Sequence, residues 1–361
     1  MAASATKKPL PGSFAFGATP AARRAAVASV LKDSKRDLRT LGETKVPEVA
    51  IIPTASTLLD IGLGVGGYPM QRVIEIFGDN GSGKTTLALH AIANAQRLGG
   101  LTAFIDAEHA LDRVYAQRLG VALDELIFEQ PDNGEDALEL ARELMTRVNL
   151  IVIDSVAALV PKAELEGQVG DSLPGSQARM MSQALRLITA DLSKHPCCII
   201  FINQTREKIG VKFGSPKTTS GGNSLKFYAS VRMEVSRIAG VKEQEVMIGQ
   251  RCKVKIIKNK LAPPYKEVEF DLIYGKGVSS VHEALDIASD LGFVTRSGSW
   301  YSMTDSVELL GPKMADMAGK RIGQGRPFAI ATLEKDENFV PRIRELALER
   351  GVSVKQAETY D

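Results

Sequence analysis

The run Gly78-Asp79-Asn80-Gly81-Ser82-Gly83-Lys84-Thr85 has the residue types and spacing of a loop that grips phosphate. Its glycines let backbone N–H groups turn inward on an anion. The helix that opens behind it, with Thr86 in its first turn, adds the positive end of its dipole. Lys84 has the reach for β- and γ-phosphates, and Thr85 offers a hydroxyl for Mg²⁺. The flanks fit this chemistry: the apolar strand candidate VIEIF precedes the loop and the helix pattern TTLALHAIANA follows it. A chance glycine-rich turn would need neither.

Three further polar groups stand at the ends of apolar runs. Asp154 closes LIVID, and a carboxylate at the end of a buried strand is costly unless a cation pairs with it. Support of Mg²⁺, often through water, is the reading that the phosphate loop favours over a cap for the next helix. Glu108, in FIDAEH, is a carboxylate placed to orient and deprotonate water. His109 beside it reads as structural. Gln204 ends CCIIFINQ, where an amide can hydrogen-bond a γ-phosphate and register its loss. A loop cap explains that residue equally well when it is read alone.

These residues must be positioned by a frame, and the sequence describes one. From about Val73, short apolar runs (VIEIF, LTAFID, LIFEQ, LIVIDS, CCIIFINQ) alternate with helical stretches such as GEDALELARELMTRV. Nearly all-apolar strands separated by helices imply a parallel sheet covered on both faces. Two stretches break the rhythm, 166–178 and 204–223, both rich in Gly, Ser, Thr, Pro and Lys and lacking a helix or strand period. Loops of that length inside a compact domain are functional or disordered. Residues 1–20 have no apolar period and read as disordered. Val27, Val30, Leu31, Leu38 and Leu41, with basic residues among them, predict one amphipathic helix docked either on its own core or on a neighbouring subunit. After about Val278 shorter helical pieces indicate a small C-terminal domain.

The bulk properties set limits. Hydrophobic residues make up 44% and charged residues 24% of 361, an ordinary globular balance. A net charge of +2 excludes a polycation that coats nucleic acid, so any such grip must come from local basic loops. The three cysteines, Cys197, Cys198 and Cys252, lack metal-ligand spacing. No apolar run is long enough to cross a bilayer and no secretory signal is recognisable, which predicts a cytoplasmic protein without a membrane partner.

The order of the phosphate loop, FIDAEHALD, LIVIDSVAAL, GDSLPG, FINQTREKIG, TTSGGNSLKFYASVR and KIIKNKLAPP resembles the bacterial RecA recombinases over roughly residues 50–275. The resemblance implies an α/β RecA-type P-loop ATPase core, its mostly parallel twisted sheet flanked by helices, with an N-terminal helix and a small α+β C-terminal domain. The corresponding division is 1–48 for the tail and polymerisation helix, 49–277 for the core, and 278–361 for the last domain. It implies that Glu108 is the catalytic glutamate and that Gln204 couples nucleotide to a DNA loop. It places Asp112 and Tyr115 at ribose and adenine, and Lys258 and Lys260, with Pro264 close behind, at an ATP held by the adjacent subunit. The two irregular stretches match the family's DNA-binding loops, carrying Pro174, Arg179 and Arg186 for the first and Arg206, Lys208, Ile209, Lys212, Gly221, Gly222 and Asn223 for the second. Taken singly, each basic residue reads as a solvated surface charge.

The implied activity is ATP-dependent, Mg²⁺-supported strand exchange on single-stranded and duplex DNA by a helical homo-filament, in recombination and repair, with stimulated self-cleavage of a LexA-like repressor. A hexameric helicase-type motor shares the core and phosphate loop, but KFYASVR, KNK and the second loop argue against it. A non-catalytic mediator paralogue would often lack the carboxylate that Glu108 supplies. The stretch from Met303 to Lys320 reads as an insertion relative to typical members.

Overall fold

Strand–loop–helix alternation becomes, in three dimensions, one large twisted sheet. The structure, a computed structural model, describes residues 19–43, 49–168, 173–207, 217–243, 245–350, 352 and 354–356. Residues 19–43 and the chain from Val49 onward are separate units.

In the first unit, α1 (Pro20–Asp33) begins at the cap of Thr19, whose side chain accepts from Ala22 N, and carries Pro20 in its first turn. It ends well before the predicted Leu41. Ser34 turns the chain out of the helix by accepting from Arg36 N at 3.0 Å, so Leu38 and Leu41 lie beyond it. No residue of α1 is buried.

The second unit begins with β1 (Ile51–Ile52), α2 (Thr57–Leu63), β2 (Tyr68–Pro69) and β3 (Val73–Gly78). Then follow α3 (Lys84–Arg97), β4 (Thr102–Asp106), α4 (Arg113–Arg118), β5 (Leu126–Glu129), α5 (Gly134–Leu144) and β6 (Leu150–Asp154). Next come α6 (Lys162–Leu165), α7 (Ser176–Leu192), β7 (Cys198–Glu207), β8 (Lys217–Thr219), α8 (Ser224–Tyr228), β9 (Val231–Glu243), β10 (Val246–Asn259), β11 (Lys266–Ile273) and β12 (Gly277–Val278). The remainder comprises α9 (Ser280–Asp290), β13 (Val294–Ser297), β14 (Trp300–Met303), α10 (Val307–Leu310), β15 (Arg321–Gln324), α11 (Arg326–Leu333), α12 (Phe339–Glu349) and β16 (Lys355–Gln356).

The main sheet runs β12-β11-β10-β9-β3-β7-β6-β4-β5. Strands β9, β3, β7, β6, β4 and β5 are parallel, and β10, β11 and β12 extend it antiparallel. The all-apolar strands have two covered faces: Leu150 and Val152 enter the cluster that α3 packs on, whereas Ile151 and Ile153 enter the cluster of α5 and α7. The predicted strand LIFEQ is the half-buried edge β5. The central strands end their parallel course on one side, where the connecting loops must gather.

The two irregular stretches are more regular than their sequence suggests. The last three residues of 166–178 belong to α7, and the base of 204–223 is a ribbon in which Thr205 pairs with Thr219 and Arg206 with Thr218. Threonine suits a pleated, half-buried ribbon, and three ladder positions are too few to leave a period in the sequence. Towards the C-terminus a three-stranded sheet, β13-β14-β15, and helices α9, α11 and α12 share an apolar cluster around Phe293, Phe339 and Leu346. The stretch from Met303 to Lys320 contributes Leu310 and Met314 to that cluster. No helix among the described residues is long and apolar enough to cross a membrane.

Candidate functional site

The phosphate loop is a five-residue turn between the end of β3 at Gly78 and the start of α3 at Lys84. Gly81 and Gly83 adopt left-handed φ of 69° and 102°, and a Cβ on Gly83 would lie 2.3 Å from Leu272 Cδ1. Strand β10 backs the turn. Gln250 Nε2 donates to Gly81 O at 2.8 Å, and Cys252 Sγ–H donates to Ser82 O at 3.4 Å. Because a trans peptide sets its N–H opposite its C=O, the Gly83 amide faces away from β10.

Lys84 is buried and its Nζ donates to Asp79 O at 2.8 Å. Burial lowers its pKa, while the Asp154, Glu108 and Asp79 carboxylates act in the opposite sense. Thr85 Oγ1 donates to Asp154 Oδ2 at 2.8 Å. Burial pushes Asp154 up to about 6, the Thr85 hydrogen bond opposes this, and Glu108 and Asp106 add to it. Asp154 is not the cap of the next turn; Ser155 holds that position.

The ends of β4, β6 and β7 converge on this loop. Glu108 N donates to Asp154 O at 3.1 Å. Gln204 Nε2 donates to Glu108 Oε1 at 3.3 Å, and Thr205 Oγ1 donates to the Asp79 carboxylate. Lys84, Thr85, Glu108, Asp154 and Gln204, spread over 120 residues, therefore share one site, with Glu108 exposed to an incoming ligand. On the other flank Asp112 caps α4 by accepting from Tyr115 N at 3.0 Å, and Tyr115 Oη lies 2.9 Å from Thr86 Oγ1. The tyrosine ring thus stands beside the first turn of α3.

Lys258 and Lys260 are not at this loop. Lys258 pairs in register with Arg232, which is level with Glu75 of β3. Lys260 N donates to Ser230 O, and Ser230 N to Val73 O, so Lys260 is level with the first residue of β3. Five residues, roughly 17 Å of strand, separate that level from Gly78. Lys258 Nζ donates to Lys226 O and Phe227 O at 2.6 and 2.9 Å, and burial, then the Lys260 and Arg232 charges, lowers its pKa. Pro264 follows on the turn after β10.

Of the DNA candidates, Arg179 and Arg186 are exposed on α7, whose opposite face buries Met181, Leu185 and Ile188. Pro174 is exposed in the turn before it. Exposed Arg206 and Gly222 line an open cavity of about 410 Å³ with Gly175 and Gln177. Gly221 and Gly222 have left-handed φ, and Asn223 precedes α8. Lys208, Ile209 and Lys212 lie outside the described residues.

Sequence reasoning missed several supporting side chains. Buried Asp106 holds the turn that carries Glu108 by accepting from Ala110 N, Leu111 N and Gln130 Nε2. A carboxylate closing the apolar strand LTAFID was the available signal. Gln250 and Cys252 had a weaker one: polar or small residues two apart, on the inward face of β10.

Comparison with known proteins agrees with this geometry. The RecA N-terminal domain family matches residues 23–279 and the RecA C-terminal domain family residues 282–349. The chain is 54% identical over 310 residues to Protein RecA of Citrifermentans bemidjiense, covering 85% of this chain and 88% of that protein. It is 56% identical over 308 residues to Protein RecA of Geobacter sulfurreducens, covering 85% and 87%. Against Protein RecA of Bartonella quintana it is 50% identical over 325 residues, covering 89% and 88%. The chain belongs to the RecA family, and with it to the nucleotide- and DNA-binding, filament-forming, DNA-dependent ATPases that act as recombinases in recombination and repair.

Proposed function

We propose that the nucleotide is ATP, that the loop from Gly78 to Thr85 holds its phosphates, and that Glu108 orients the attacking water and takes its proton. Lys84 then faces the charge that grows on the transferring phosphoryl group. The Thr85 hydroxyl and the Asp154 carboxylate, 2.8 Å apart, are a hard-oxygen pair suited to Mg²⁺, which usually takes few protein ligands together with substrate phosphates. Bound there, Mg²⁺ would neutralise charge on the β- and γ-phosphates. Tyr115 and Asp112 serve the base and ribose. Gln204 reads the γ-phosphate, and its hydrogen bond to Glu108 is the observation that carries this reading, because it joins the hydrolytic carboxylate to the strand that enters the second loop.

Lys258, Lys260 and the adjoining Pro264 act on the ATP of the neighbouring subunit, since their own phosphate loop lies at the other end of the sheet. The loops 166–178 and 204–223 grip single-stranded DNA through its backbone, with Arg179, Arg186, Arg206, Lys208 and Lys212 as cations and with Pro174 and Ile209 between bases; Gly221, Gly222 and Asn223 close the second loop. The chain works as three parts, 1–48, 49–277 and 278–361, with the first for polymerisation. The filament pairs its DNA with homologous duplex in the cytoplasm and promotes self-cleavage of a LexA-like repressor. Strand exchange and ATP turnover, each with and without single-stranded DNA, test the core of this reading: Glu108→Gln should keep DNA and ATP binding and lose turnover. Unchanged turnover would remove Glu108 from its role.

A further inference from the structure

The two loops assigned to DNA meet the core at one junction. Ser220 and Gly221, where the second loop returns, are buried and held from two sides. From the sheet, Asn203 Nδ2 donates to Ser220 O at 3.1 Å and to Glu75 Oε1 at 2.9 Å, while its Oδ1 accepts from Gln204 N at 2.9 Å. Asn203 and Glu75 are wholly buried. Glu75 is ion-paired with Arg232, whose guanidinium lies 4.9 Å from the Phe77 ring centroid. This arm is therefore anchored on β3, the strand that delivers the phosphate loop.

From the other side, Gln177, the second residue of α7, accepts from Gly221 N at 3.2 Å through Oε1. Its Nε2 donates to Val156 O at 2.9 Å and Leu159 O at 3.0 Å, in the segment that leaves Asp154. Only a primary amide supplies one acceptor and two donors from one short side chain. The junction has no slack. A Cβ on Gly221 would lie 2.9 Å from Val156 Cγ1, and one on Gly222 2.8 Å from Ala178 Cβ, at φ values of 77° and 73°. A displacement at the end of β7 must carry Ser220–Gly222 with it, and through Gln177 the helix that leaves the first loop.

We propose that Asn203 and Gln177 are positioning residues that make this junction a two-armed coupling, moving both DNA loops together in response to one nucleotide. The inference rests on the assignment of the loops to DNA and of Gln204 to the γ-phosphate.

The test uses the full chain and a thymidine oligonucleotide, with affinity measured in ADP and in a non-hydrolysable ATP analogue; the ratio of the two dissociation constants reads the coupling. Gln177→Met keeps length and volume without the hydrogen bonds. It should lower the ratio roughly tenfold in a chain that stays folded, with affinity lost mainly in the ATP-analogue state. Gln177→Glu, which keeps the acceptor for Gly221 and loses both donors, should fall between. Adding Gln177→Met to Asn203→Ser should lower the ratio little further, because Asn203 stands upstream of Gln177 in the series. Asn203 is buried, so if its variant does not fold, the half-exposed Gln177 decides alone. A wild-type ratio in Gln177→Met overturns the proposal, and so does an equal loss of affinity in both nucleotide states, the mark of a contact that only shapes the loop. If the unmodified protein shows no nucleotide dependence, the assignment of the loops themselves has failed.

Discussion

The two ends of strand β10 pose opposite problems. Near its start, Gln250 and Cys252 lie against the chain's own phosphate loop, where Lys84, Thr85, Glu108, Asp154 and Gln204 already meet. At its finish, Lys258 and Lys260 are level with the beginning of β3 and find nothing of that site within reach; Lys258 is occupied by backbone carbonyls of α8. The first end gathers its polar groups around one loop. The second presents two lysines away from their own subunit's phosphate loop, which suits a surface completed by a head-to-tail neighbour. On the proposed reading, a single strand backs one nucleotide while offering charge to another.

Breaking the complete end should have the largest effect. If Lys84 faces the transferring phosphoryl group as proposed, Lys84→Ala removes that charge. Turnover should fall by more than about 10³-fold in a chain that stays folded, as followed by phosphate release and circular dichroism. Normal DNA-stimulated hydrolysis would refute the assignment. Glu108→Gln should slow turnover by about 10²-fold or more while ATP and DNA binding persist, giving long-lived filaments visible by electron microscopy.

Mixing probes the incomplete end. A subunit lacking Lys84 and a subunit lacking both Lys258 and Lys260 should each be inactive alone. In equal co-filaments, on the order of a quarter of interfaces pair an intact phosphate loop with intact lysines, so a corresponding fraction of ATPase should return. No recovery in verified co-filaments, or full activity of the double-lysine variant alone, would place these lysines elsewhere.

Smaller effects are expected where charges track a backbone. Neutralising Arg179, Arg186 or Arg206 singly should shallow the salt dependence of single-stranded DNA affinity by roughly 0.7 to 1 in log–log slope, with little change between sequences. A variant that keeps the full slope makes no phosphate contact.

The smallest effect is expected outside the nucleotide site, where α9 meets α2. Buried Glu283 receives hydrogen bonds from Ser56 Oγ, Thr57 N and Leu58 N, so it caps α2 from α9. Burial pushes it up to about 7, against those hydrogen bonds. A carboxyl that binds its proton more tightly when folded favours the fold below its unfolded value and loses that contribution as pH rises through about 7. Glu283→Gln should therefore remove part of the decline in thermal midpoint between about pH 4.5 and 7. An identical pH profile in the two proteins would show that Glu283 does not titrate in that window.

What could be read from the sequence alone was whatever is contiguous. The phosphate loop was legible because strand, turn and helix follow one another between Val73 and Arg97. The sheet was legible because LIVID and CCIIFIN leave no polar face to turn to water. The ends of strands were recognisable as places for Glu108, Asp154 and Gln204, and the order of motifs matched a family. Periodicity, however, reports that a face is covered and not by what. It ran the N-terminal helix through Ser34, where a side-chain hydrogen bond releases the chain. It missed the ribbon at the base of the second loop, which three pairs suffice to make. Gln250 reaches a carbonyl 169 residues away and Gln177 an amide 44 residues away. Nothing local distinguishes those amides from surface glutamines. Only the packed backbone, by bringing Gly81 and Gly221 within hydrogen-bond range, decides that they are structural partners of the site; for a buried N–H such as that of Gly221, going without a partner costs about 1–3 kcal/mol.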